Sequence, residues 1–139
     1  MKVYIGFVLY FLLFASGVHA EGLEGNWYGE GYQPQTGKYH QWFKQQKADG
    51  TYIVDFRRYE ECKLVERQVE TGIWRRTPMG WCDKVTAING RMVQSTQDDY
   101  VIKDMDGTKM RYQHSGTGET WTSRRVGPDF KFPACEPMS

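Results

Sequence analysis

The sequence predicts an all-β protein, a single up-and-down antiparallel β-barrel of about eight strands. Three observations carry that prediction. Turn signals (Asp49-Gly50, Asn89-Gly90, Asp106-Gly107 and Gly116-Thr117-Gly118) recur at near-regular spacing along the chain. Between them lie short β-branched and aromatic runs, of which Thr51–Tyr59 is the clearest. No segment carries a convincing helical stripe: Glu60–Glu70 is the one charged run with candidate positions, and Val65, Val69 and Ile73 make a weak face.

The first twenty residues are expected to stand apart from the barrel. Lys2 supplies a positive start, Val3–Phe14 is apolar and aromatic, and Val18-His19-Ala20 places light residues before a cut. This is the layout of a secretory signal cleaved after Ala20. An apolar run of about a dozen residues falls short of the ~20 needed to span a bilayer. A secreted or periplasmic protein is expected, with no membrane span in the mature chain and no lipid-anchoring cysteine near the cut. Residues 21–139 suffice for one domain and not for two.

Strand one is expected at 25–33, where Gly25-Asn26-Trp27-Tyr28-Gly29-Glu30-Gly31 alternates. Gly25, Trp27, Gly29 and Gly31 share one face, and Tyr28, Glu30 and Tyr32 share the other. With the glycine face inward, Trp27 plugs the floor, while Gly29 and Gly31 leave room above it. Strands two and three follow at 39–47 and 51–59, joined through Asp49-Gly50. Strand four is expected at 63–76. Its inward side stays open: Val65, Val69 and Ile73 argue for one face, and Leu64, Gly72 and Trp74 for the other. Strands five to eight are expected at 80–89, 92–103, 108–114 and 118–126. The tail from Gly127, with Pro128, Pro133 and Pro137, should be irregular and lie along the surface.

Strand direction assigns the ends. If strand one ascends, strand eight descends beside it, with Trp121, Ser123 and Arg125 on one face. Arg125 then reaches the floor, where its guanidinium stacks on Trp27 and bonds backbone carbonyls. Strand five begins at the bottom and strand eight ends there, so the expected disulfide joins Cys82 to Cys135 across the base. Cys62, in the turn at the top, is then an unpaired thiol.

The expected interior is amphipathic. Tyr52, Val54 and Phe56 form an apolar face, continued across the hairpin by Tyr39 and Phe43, with Arg58, Gln41 and Gln45 on the same faces. Together with Gly29 and Gly31, residues Tyr39, Phe43, Tyr52, Val54, Phe56 and Arg58 are the candidate ligand-binding set. A small apolar or amphiphilic ligand is the expected partner. The competing expectation is a barrel filled by its own aromatic side chains.

Composition excludes other classes. The 18 Lys and Arg include Lys2, so the mature chain is close to charge balance with its 17 Asp and Glu. A basic field for nucleic acid is lacking, and no nucleic-acid partner is expected. There is no His-x-x-x-His or Cys-x-x-Cys spacing, no Gly-x-Ser-x-Gly elbow and no phosphate-cradling loop. The acidic pairs Glu60-Glu61 and Asp98-Asp99 are read as solvated carboxylates, the ordinary explanation for such pairs. The reading is therefore a non-enzymatic monomer with no metal and no resident cofactor.

Gly25-Asn26-Trp27-Tyr28 resembles the Gly-x-Trp motif that opens lipocalins and other calycins, and Arg125 resembles the basic residue that packs over that tryptophan. Asp99-Tyr100 loosely resembles the family's Thr-Asp-Tyr motif, with Thr96 displaced. Asp49-Gly50-Thr51-Tyr52, Glu70-Thr71-Gly72-Ile73-Trp74 and Arg125-Val126 are similar to small bacterial lipocalin-like domains. The resemblance implies a ligand-carrying barrel over residues 22–126. The same opening is similar to nitrobindin-like barrels, which implies haem held by a late histidine, here His114. Avidin-like barrels share the Gly-x-Trp-Tyr start, but the polar residues that hold biotin are not evident. A third class is an inhibitor or assembly barrel acting through its loops, such as Gln33–Gly37 or Arg75–Gly80.

Overall fold

Eight antiparallel strands close on themselves in the computed structural model, which describes residues 22–33 and 36–135. The expected signal segment lies outside the described residues. The strands are β1 (Gly25–Gln33), β2 (Lys38–Gln46), β3 (Thr51–Glu60), β4 (Lys63–Thr77), β5 (Gly80–Ile88), β6 (Arg91–Met105), β7 (Lys109–His114) and β8 (Thr120–Val126). Each pairs with its successor, and β8 returns to β1 through Asn26↔Val126 to Gly29↔Ser123. Closure leaves no open sheet edge. Among the described residues no helix is long and apolar enough to cross a membrane.

Turn chemistry sets which side chains point inward. In the β5–β6 hairpin, Asn89 (φ 50°) and Gly90 (φ 76°) both take left-handed conformations, as a two-residue turn demands. The β2–β3 connection is different. The Gly50 amide donates to Lys47 O at 3.1 Å, Lys47 N donates to Thr51 O at 2.9 Å, and Gly50 is left-handed at φ 84°. That geometry adds a residue to the turn and shifts the strand parity by one. Trp42 therefore faces Phe56, and Phe43 faces Asp55.

Two expectations about the interior are corrected by this register. The inward set of β2 is His40, Trp42, Lys44 and Gln46, so Tyr39 and Phe43 point outward, as do Gln41 and Gln45. Tyr39 Oη donates to Glu30 at 2.6 Å on the outer surface, a carboxylate it shares with Tyr28. Residues Tyr52, Val54, Phe56 and Arg58 of β3 face inward. On β4 the open question resolves through the Tyr52↔Gly72 pair: Gly72 and Trp74 face inward, followed upward by Glu70, Gln68 and Glu66. Val65 and Ile73 are about half exposed outside. Gly72 sits so close to the Lys84 carbonyl and the Tyr52 ring that a Cβ there would collide with both.

The floor is built around Trp27, which is 2% exposed. Its Nε1–H donates to Leu23 O at 3.1 Å. Arg125 lies with Cζ 4.3 Å from the Trp27 ring centroid. The guanidinium donates to Glu24 O at 2.6 Å, Gly22 O at 2.8 Å and Gly107 O at 3.2 Å. Leu23, Trp81, Met110 and Tyr112 pack around this plug.

The tail takes a different course from the one expected. From the bottom of β8 it climbs the outer wall over β1, β2 and β3. Phe130 packs 4.7 Å from Tyr28 and 5.3 Å from Phe43, and the Arg57 guanidinium lies 3.8 Å from the Phe132 ring. Gln41 Nε2 donates to Pro133 O at 3.0 Å. The climb ends in a Cys62–Cys135 disulfide at the mouth, with Cα atoms 5.3 Å apart. The expected Cys82–Cys135 bridge is thus overturned. The strand directions hold, but the tail ascends the β1–β3 wall, and β5, with Cys82, stands on the far side of the barrel. Cys82 is a buried free thiol.

Arg125→Ala should lower unfolding stability by about 2–4 kcal/mol, because three carbonyls lose a charged donor and Trp27 loses its cover. Arg125→Lys should recover only part of the loss, read from denaturant midpoints. Cys135→Ser should cost about 2–4 kcal/mol, since the bridge closes a long loop. A non-reducing peptide map should link the Cys62 and Cys135 peptides and leave the Cys82 peptide alkylatable after unfolding.

Candidate functional site

Above the floor the interior opens into a cavity of about 260 Å³. At ~30 Å³ per water, this is the space of roughly nine waters, near the lower end of small-molecule pockets. Its walls are largely aromatic: Trp42, Phe56, Trp81, Tyr100, Tyr112 and Trp121, with Val54. Trp81 and Tyr100 stack at 4.7 Å with an interplanar angle of 16° and present one flat wall. Trp121 meets Trp42 edge-on at 5.2 Å. Trp42 is anchored from below, its Nε1–H donating to Ser123 Oγ at 3.0 Å.

Into this aromatic chamber the strands deliver charge. Lys44, opposite Val54 on β3 and Trp27 on β1, reaches across the barrel to Asp83 of β5 and pairs with its Oδ2. Its Nζ lies 4.8 Å from the Tyr52 ring centroid, 5.3 Å from that of Trp81 and 5.7 Å from that of Tyr100. Asp83 is 5% exposed; its Oδ1 makes no full hydrogen bond, and the Trp81 indole N–H interacts with the carboxyl. Burial pushes the Asp83 carboxyl up from its ordinary range, against the downward pull of Lys44 and of the Trp81 indole. Glu70 of β4 is also pushed up, chiefly by burial and further by Asp98 and Asp83, while a hydrogen bond from Gln68 opposes the shift. Tyr52 and Tyr100 are raised well above ordinary phenols, first by burial and then by the field of Asp83.

Two histidines line the same space. His40 faces inward with Nε2 unpartnered, and burial holds its pKa down, with Arg58 adding to the effect. His114 has both nitrogens engaged. It shares a 2.9 Å hydrogen bond from Nε2 to Asp98 Oδ1, while Nδ1 accepts from Thr117 N–H at 3.0 Å. With both nitrogens spent, His114 does not fit the role of haem ligand in this arrangement. Among the described residues, no three His, Cys, Asp or Glu side chains are grouped to hold a metal ion.

The expected binding residues divide by position. Val54 and Phe56 line the cavity. Tyr52 lies below it as part of the Lys44 cage. Arg58 stands at the rim, paired with Glu66. Gly29 opens no space of its own, because the Trp42 indole fills the position where its side chain would be. Gly31 faces Trp121, whose nearest ring atom would lie 3.8 Å from an added Cβ. Tyr39 and Phe43 are outside. Sequence reasoning missed His40, Trp42, Lys44, Glu70, Trp81 and Asp83. The available signal was a charge on an apolar parity: Asp83 between Trp81 and Val85, and Lys44 two residues from Trp42.

These features define an antiparallel barrel, closed at its base, with a charged aromatic chamber. The chain matches no protein-family model, no curated protein and no solved structure.

Glu70→Gln should stabilise the protein at neutral pH. A buried carboxyl with a raised folded pKa favours folding below its unfolded pKa and loses that contribution as pH rises through the folded value. Gln removes this loss, so thermal melts at pH 4 and pH 8 should show the variant's advantage growing with pH.

Proposed function

We propose that the mature chain is an exported lipocalin-like binding protein that holds a small amphiphilic or apolar ligand non-covalently in the barrel. The observation that carries this reading is the chamber itself. A barrel that filled its own interior would pack the space above Trp27 to protein density. Here about 260 Å³ remains, with aromatic walls and the carboxyl groups of Glu70 and Asp83 in its lining. Apolar walls supply contact area, while a few convergent polar groups fix orientation. The Cys62–Cys135 bridge suits an oxidising compartment, in keeping with the signal-like residues 1–20. The family resemblance rests on Gly25, Trp27 and Arg125, whose contacts close the floor.

Calorimetric titration with 2-phenylethanol, a neutral compact amphiphile, tests the reading together with native mass spectrometry of protein taken from its own compartment. Saturable 1:1 binding is expected, with a shift in tryptophan fluorescence because Trp42, Trp81 and Trp121 line the chamber. Val54→Phe fills the cavity from one wall and should weaken binding by at least ~10-fold, an effect of about 1.4 kcal/mol, while the protein keeps its fold by circular dichroism. Equal affinity in this variant would move the ligand out of the barrel.

A further inference from the structure

The polar side of the chamber is acidic. Inward-facing carboxylates come from Glu66 and Glu70 on β4, Asp83 on β5 and Asp98 on β6, and Glu119 lines the cavity from the β7–β8 turn. The cations among the described residues facing this space are already committed. Lys44 pairs with Asp83, and Arg58 at the rim pairs with Glu66. Burial disfavours the charged form of His40, and His114 is already bonded to Asp98 and the Thr117 amide. Glu70 and Glu119 are left facing the cavity without a cation among the described ion pairs, and Asp98 is bonded to His114.

The protein also displays what this wall accepts. Lys44 carries an ammonium into the barrel, where three aromatic faces and one carboxylate oxygen receive it. Aromatic faces attract cations through their negative quadrupoles, most strongly when water is excluded. The same carboxylate has a second oxygen, Asp83 Oδ1, that is buried without a full hydrogen bond, although the Trp81 indole N–H interacts with the carboxyl. An anionic oxygen left with only a weak indole donor is costly to bury, and a charged ligand N–H would relieve that cost further. A bare metal ion fits poorly, because the carboxylates are not grouped to coordinate one.

We propose that the chamber selects a small organic cation, a primary or substituted ammonium on a compact apolar body. The ammonium lies against Asp83 Oδ1 and Glu70, and the body lies against Trp42, Phe56 and Trp121. This assignment rests on the carrier reading above and adds the charge of the ligand to it. Lys44 stays on Asp83 Oδ2, so one carboxylate serves an internal and a bound ammonium on its two oxygens.

Three probes with a shared phenyl body test the charge preference by calorimetry on the mature protein at pH 7: 2-phenylethylamine, 2-phenylethanol and 3-phenylpropionate. The amine should bind at least ~10-fold more tightly than the alcohol, as charge-assisted hydrogen bonds exceed neutral ones. The carboxylate should bind most weakly. Asp83→Asn should cut amine affinity about 10-fold and change alcohol affinity less than about 2-fold. Glu70→Gln, which leaves the Lys44 pair intact, should reduce amine affinity in the same direction and provides the test if Asp83→Asn fails to fold. Equal binding of amine and alcohol would overturn the charge selection while leaving a binding barrel. Tightest binding of the carboxylate would assign the head-group to Lys44 and overturn the proposal. Binding of none of the three would remove both this inference and the carrier reading.

Discussion

Everything inside this barrel stands on the contact between Arg125 and Trp27. A closed sheet needs its first and last strands to meet in one register, and the guanidinium fixes that register by reaching back to the residues preceding β1. It bonds the carbonyls of Gly22 and Glu24, which belong to the approach to β1, and that of Gly107, which belongs to the β6–β7 turn. Two otherwise separate segments are thereby gathered onto β8 beside the Trp27 ring. Only a planar donor with several N–H groups can serve the three carbonyls while stacking on the indole. The base is then sealed, and space above it becomes an interior rather than a channel.

That interior is uneven by construction. The lower half is packed by Leu23, Trp27, Trp81, Met110 and Tyr112, so apolar burial provides its stability. The upper half holds ionised and ionisable groups that burial disfavours, as the raised carboxyls of Glu70 and Asp83 show. Moving an ammonium and a carboxylate out of water is compensated only where their geometry is good, and removing one partner leaves the other stranded. The Lys44–Asp83 pair is therefore a weak source of stability and a strong source of chemical character. Charge placed at this expense inside a domain of modest size is where function is most readily sought.

Much of the architecture was legible in the sequence because its signals are local. Turn dipeptides and alternating apolar residues located all eight strands, and strand direction alone brought Arg125 to Trp27. The candidate site was harder to read, because it depends on parity across hairpins. A left-handed Gly50 in a longer turn moved Trp42 inside and Phe43 outside, and Asp49-Gly50 is equally compatible with a shorter turn. The β4 face was ambiguous because its outer side carries Val65 and Ile73, apolar residues left in water, while its inner side carries Glu66, Gln68 and Glu70. The tail was misplaced for another reason: its aromatic residues, Phe130 and Phe132, signal docking but not the wall on which they dock.

The Cys62–Cys135 bridge bears on the order of events during biosynthesis. Cys62 and Cys82 emerge well before Cys135, and two exposed thiols in an oxidising compartment can pair with each other. The barrel prevents that by separation and by enclosure: β3–β4 carries Cys62 to the mouth, while Cys82 is buried in the β5 wall on the side away from the tail. The native pairing thus goes with a formed β5 wall that encloses Cys82 and a tail that has climbed the outer surface. The bond serves as a covalent record that the tail has docked on the assembled barrel wall.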